Sequence, residues 1–115
     1  MALPYADRVK DTTASVGTGD LTLSGSPPSG FVSFNSALGV GPQFYYVIEG
    51  GTVSEWEVGI GHLSASTTFV RDTILASSNS GAAVNFSTGT QTVIHTVPAQ
   101  GIMDYSYLVA LGGFV

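Results

Sequence analysis

Residues 54–79, SEWEVGIGHLSASTTFVRDTILASSN, gather three acids, the chain's one tryptophan, one of its two histidines and one of its three basic residues into a run patterned for β structure. Glu55, Glu57, Asp72 and His62 have the chemistry of acids and bases, whereas the alternation around them is that of a sheet. If 55–62 is extended, Glu55, Glu57, Gly59 and Gly61 share one face and Trp56, Val58, Ile60 and His62 the other. The apolar side chains then mark Trp56, Val58 and Ile60 as core framework. Glu55 and Glu57 fall side by side on the opposite face, about 7 Å apart at two residues' rise. Like charges so placed make a solvated surface rather than a general acid and base.

On the next strand Phe69, Arg71, Thr73 and Leu75 alternate with Val70, Asp72 and Ile74. Either choice of inner face takes in a charge, which is stable there only when paired or hydrogen-bonded. The expectation is that Arg71 or Asp72 sits at a wet strand end or closes a loop through backbone hydrogen bonds. An Asp72 partnered with His62 or His95 would also need a nucleophile and an oxyanion site, and no pattern singles one out. The catalytic set is therefore read as none and the chain as non-enzymatic. The two histidines lack the third or fourth ligand of a zinc site unless Asp72 or Glu49 joins them, so no metal and no cofactor is expected. GTGD (17–20) and GIG (59–61) lead into no helix, as a phosphate loop must, and no spacing matches an EF-hand.

Outward from this run the chain is short β-like pieces punctuated by Gly, Ser and Pro. QFYYVIE (43–49) and VSEWEVGIGHL (53–63), joined through Gly50 and Gly51, read as a hairpin. SAS (64–66) then turns the chain into TTFVRDTIL (67–75), and the polar ASSNSGAA (76–83) precedes a last strand in TQTVIHTVP (90–98). Upstream, DRVKDTTA (7–14) and DLTLSG (20–25) flank SVGTG as a hairpin or wide turn, and SPPSG (26–30) is a loop because its prolines donate no ladder hydrogen bonds. SFNSALG (33–39) reads as the one helical turn, with Ser33 as N-cap and Gly39 as the stop, or as a strand, since Phe31, Val32 and Phe34 also suit a sheet. The expected fold is all-β: a small antiparallel sandwich or barrel with at most one short helical turn.

The chain has 115 residues, enough for one core. Only 10% are charged, far below the roughly 25% usual for globular chains, so the surface is built from Ser, Thr, Gly and amides or is covered by partners. Cysteine is absent, which removes disulfides and thiolate metal sites. Eight acids against three basic residues give a net charge of −5, and three cations cannot build the basic patch that a nucleic-acid binder needs. MALPYADRVKD (1–11) has no apolar h-region and no 18-residue apolar run follows, so neither a secretion signal nor a membrane span is expected.

EWEVGIGHL, RDTILASSN and VNFSTGT, preceded by ADRVKDTTASVGTGDLTLSG, GFVSF and FYYVIEG, together resemble a small β module of tailed-bacteriophage virion structural proteins. The resemblance covers about residues 5–98 and implies a structural particle component located in the virion and assembled in the host cytoplasm. It supplies no catalytic residues. Fibre proteins of this kind continue into long repeats where this chain has VPAQGIMDYSYLVALGGFV (97–115). The missing shaft favours a capsid-decorating cement or head-spike base protein over the alternative, a tail or tail-fibre adaptor. A carbohydrate-binding module is a further alternative, with Tyr45, Tyr46, Trp56 and Glu57 as its platform.

The expected organisation is a β module over 1–98 and an apolar C-terminal tail over 99–115. As a strand, the tail places Tyr105, Tyr107, Val109 and Leu111 on one face and Leu108 and Ala110 on the other, so both faces are apolar. Ile102, Met103, Tyr105, Tyr107, Leu108, Val109, Leu111, Phe114 and Val115 are accordingly expected to contact partners, either their own sheet or neighbouring subunits of a homo-oligomer, a trimer being favoured. The major capsid protein, or tail and fibre proteins, would be the other partners.

Overall fold

The computed structural model describes residues 3–51 and 54–99. Its strands are β1 (Lys10–Thr13), β2 (Leu21–Thr22), β3 (Phe44–Glu49), β4 (Trp56–Ala65), β5 (Thr68–Ser77) and β6 (Gln91–Ile94), with one helix, α1 (Phe34–Leu38). The strands form a single sheet in the order β1-β6-β3-β4-β5-β2, every neighbour antiparallel. The edge strands β1 and β2 then meet at a Thr13–Leu23 bridge, so the sheet curls nearly round on itself into a small barrel. Ser24 N–H to Thr12 O (2.9 Å) and the Thr13 hydroxyl to Thr22 O (2.8 Å) hold that seam. The closure is short, since on its β2 side β5 is paired only at Thr68 and Phe69. The all-β expectation is met, and its barrel form is the one adopted.

The helical turn is where its caps put it. The Ser33 hydroxyl accepts from Ser36 N–H at 3.1 Å, and Gly39, at φ 76°, reverses the chain while its N–H reaches the carbonyls of Phe34 and Asn35. The turn sets Phe34 against Phe44 and Phe69, with ring centroids 5.4 and 5.7 Å away, and Tyr46 meets Phe69 edge-to-face at 4.9 Å. Aromatic pairs like these contribute about 0.5–1.5 kcal/mol each beyond their buried area. Around them Val9, Leu21, Leu23, Ile48, Leu63, Val84, Phe86 and Val93 complete the core.

The faces of β4 are the reverse of those expected. Glu57, Gly59, Gly61 and Leu63 point into the barrel, while Val58 and Ile60 are half-buried on the outside and Trp56 is 41% exposed. Trp56, Val58 and Ile60 are therefore not core framework. The cause lies on the neighbouring strands. Tyr46 pairs with Gly59 and Phe44 with Gly61, and a Cβ on Gly59 would stand 2.7 Å from the Tyr46 hydroxyl and 2.4 Å from Thr73 O. One on Gly61 would meet Val70 O at 2.4 Å and the Phe69 ring at 3.2 Å. The glycines are the floor on which rings from β3 and β5 lie, so the interior is filled from across the sheet.

Pairing between β4 and β5 breaks register three times. Val58 faces Ala76 and Gly59 faces Ile74, which leaves Leu75 as an extra residue; Ile60 faces Thr73 and Gly61 faces Arg71, which leaves Asp72 extra. Arg71 is on the inner face with Phe69 and Asp72 on the outer, as alternation gives; beyond Asp72 the bulges reset the pattern, so Thr73 faces outward with Ile60 and Ile74 inward with Gly59. A third break, between Leu63 and Ala65, lets β4 run on to a turn at Ser66 and Thr67, slightly later than SAS suggests.

Candidate functional site

Among the described residues three arrangements bear on function, and a buried histidine stands apart from them. The deepest is a polar cluster on the inner wall. Glu57 and Arg71 are buried on adjacent strands, with Glu57 Oε1 3.0 Å from Arg71 Nη1. The same oxygen accepts from Val84 N–H at 2.9 Å, and Oε2 accepts from the Tyr46 hydroxyl at 2.6 Å. The guanidinium also donates to Val84 O at 3.0 Å, to Gly17 O at 2.9 Å and twice to Gly19 O at 3.0 and 3.1 Å. Arg71 thus closes loops through backbone carbonyls, one of the two roles anticipated for it. Glu57 is not on a solvated face; it is the counter-charge that lets Arg71 be buried. Glu55 lies apart, with its carboxylate accepting from Ser87 N–H (2.8 Å) and hydroxyl (3.1 Å).

Chemically this cluster is closed. Burial, and then the hydrogen bond to Glu57, push the Tyr46 hydroxyl far above the usual phenol range, so it stays a proton donor. Both Glu57 oxygens are engaged by protein donors, so no oxygen is turned toward a reactant. The cluster ties the 14–20 and 80–87 loops to the barrel wall.

The second arrangement is on the surface. Asp72, on the outer face, has its Oδ2 2.7 Å from His62 Nδ1, and Gln43 Nε2 donates to the same oxygen at 3.2 Å. Of the pairs weighed from sequence, His62 with Asp72 forms and His95 with Asp72 does not. Asp72 thus orients the His62 imidazole, and among the described residues no hydroxyl donates to it. No group of three or more His, Cys, Asp or Glu side chains among the described residues is placed to hold a metal ion.

His95 is buried elsewhere. Its ring bonds to Tyr45 O through Nδ1 at 2.6 Å and accepts from Ala6 N–H through Nε2 at 3.2 Å. A carbonyl only accepts and an amide N–H only donates, so the imidazole is the neutral Nδ1–H tautomer. Burial holds its pKa below the ordinary value, with the Tyr45 carbonyl acting in the opposite direction. Tyr5 stacks on Tyr45 with centroids 6.1 Å apart, so this histidine latches residues 5 and 6 to the barrel.

The third arrangement is the outer face itself. Val47 pairs with Val58 on one side and Ile94 on the other, and Val58 pairs with Ala76, giving an apolar row across four strands. Beside it a groove of about 460 Å³ is lined by Val47, Val58, Leu75, Ala76 and the stretch Thr96–Ala99. Val97 is 46% exposed, and Trp56, two residues from Val58 on the same face, extends the apolar surface. Leu75 reaches this groove because it is a bulge residue, which strict alternation along β5 does not foresee. The apolar pattern of Trp56, Val58 and Ile60 is real, but it marks a surface.

The remaining candidates separate. Tyr46 and Glu57 face the interior and Tyr45 is buried, so with Trp56 they form no shared platform. Arg8 and Lys10 both lie over the Phe31 ring, 4.0 and 4.2 Å from its centroid. Of the expected tail only Ala99 falls within the described residues; Ile102, Met103, Tyr105, Tyr107, Leu108, Val109, Leu111, Phe114 and Val115 lie outside them. Comparison with family models, with curated proteins and with solved structures returns no match for this chain.

Proposed function

We propose that the chain is a non-enzymatic structural component of a tailed-bacteriophage particle, a small β-barrel module that decorates the capsid as a homo-oligomer. The observation that carries the reading is the apolar outer face over β3, β4 and β5, flanked by an exposed tryptophan. An exposed apolar patch of this kind on a sparsely charged barrel serves contact with another surface. The polar interior supports the same reading, because Glu57, Arg71 and Tyr46 are committed to the barrel's own loops. The particle as the setting rests on the resemblance of the sequence blocks to virion modules.

The test is to tag the chain, purify the phage particles of its source, and locate the tag by electron microscopy. Density on the capsid lattice is the expected result. Density at the tail selects the adaptor role, and a chain absent from purified particles overturns the virion reading. Exposed Trp56 gives the carbohydrate-binding alternative one supporting observation; binding on a glycan array that is lost in Trp56→Ala would favour it.

A further inference from the structure

We propose that the groove beside Val47, Val58 and Leu75 is the seat for the C-terminal segment Ile102–Val115 of a second copy of this chain. The inference rests on the outer face being an assembly surface and names what covers it. The groove is walled on one side by Thr96–Ala99, the residues that lead directly into the tail, so every copy carries groove and tail together. The tail matches the groove in chemistry: within 102–115 only Asp104 is charged, and nine residues are large and apolar. The groove's own lining has no charged side chain.

Length and patterning favour a second copy over the tail's own barrel. The groove crosses β3, β4 and β5, about 10–15 Å at the usual strand spacing, whereas 14 extended residues reach about 46 Å. One groove takes only part of such a segment. A tail apolar on both alternating faces also leaves one face uncovered after docking on a single barrel, and a second barrel supplies the missing surface. The groove lies on the face of the sheet and not along a strand edge, so the contact is side chain into groove rather than strand addition.

The test uses full-length protein and two variants, Val58→Asp in the groove and Leu108→Asp/Leu111→Asp in the tail. Mass is read by sedimentation from about 1 to 100 μM, the range in which modest self-association shows. Circular dichroism reports the fold, and emission of the sole tryptophan, Trp56, two residues from Val58 on the same face, reports coverage. Wild type is expected to be an oligomer, each variant a folded monomer with red-shifted emission, and an equimolar mixture a heterodimer, because one partner keeps its tail and the other its groove. If Val58→Asp does not fold, Val58→Thr, which keeps the branched shape, is expected to weaken association at least tenfold. A wild-type monomer whose emission shifts when the tail is mutated places the tail on its own barrel and overturns the proposal. So does a monomer with no such shift, a mixture that stays monomeric, or an oligomer that survives both variants. Particle association is measured separately on virions, so failure of tail docking and failure of the virion reading are distinguishable.

Discussion

Replacing Arg71 with Met removes the guanidinium while keeping much of the buried aliphatic stem. Glu57 then remains on the inner wall, wholly buried, with Val84 N–H and the Tyr46 hydroxyl as its donors and no counter-charge. The carbonyls of Gly17, Gly19 and Val84 lose their donor at the same time. Removing one partner of a buried ion pair costs about 3–5 kcal/mol, because the survivor is left uncompensated. Against a total stability of about 5–15 kcal/mol that is a large fraction. In urea, a loss of about 4 kcal/mol at an m-value of about 2 kcal/mol/M lowers the midpoint by about 2 M. The assay is equilibrium urea denaturation followed by far-ultraviolet circular dichroism. Trp56, outside the barrel, does not monitor the core. Arg71→Met/Glu57→Leu, which removes both charges, is expected to recover part of the loss. A midpoint shift below about 0.5 M in Arg71→Met would refute the assignment of this pair as the anchor of the two loops.

Trp56→Ala is expected to change stability by less than about 1 kcal/mol, since the side chain is exposed, in contrast to the roughly 3–5 kcal/mol for a core tryptophan; thermal melts distinguish the two. Gly59→Ala is expected to destabilise by about 1–3 kcal/mol, the cost of overpacking, because its Cβ falls on the Tyr46 hydroxyl and Thr73 O; a neutral effect in denaturant titration would mean that the ring is not seated there. His95 is neutral in the fold with its pKa lowered, so the unfolded chain binds the extra proton first as pH falls. The stability it contributes is whole above about pH 6.5 and declines below it, by at most about 1.4 kcal/mol per pH unit. Melting temperatures of wild type and His95→Gln from pH 7.5 to 5 check this, and an identical pH dependence in the two proteins would rule out the latch as its source.

The all-β class, the hairpin through Gly50 and Gly51, the capped turn at 33–39 and the last strand are each legible in the sequence, because local preferences decide them. Two prolines forbid a strand, Ser33 and Gly39 cap a helix, and glycines between β-rich runs turn the chain. That one of Arg71 and Asp72 needs partners also follows from the cost of burying a charge. The sequence does not disclose which face of β4 is inside. Alternation gives two sets of side chains and no label, and burial of Glu57 beneath Tyr46 depends on rings and a guanidinium that come from strands paired only in the folded barrel. Nor does it disclose the bulges at Asp72 and Leu75, because register is a property of two strands together. The outer groove is a consequence of both. Only when glycine floors admit the aromatic core, and a bulge turns Leu75 outward, do the valines of β3 and β4 become a surface with room for a partner.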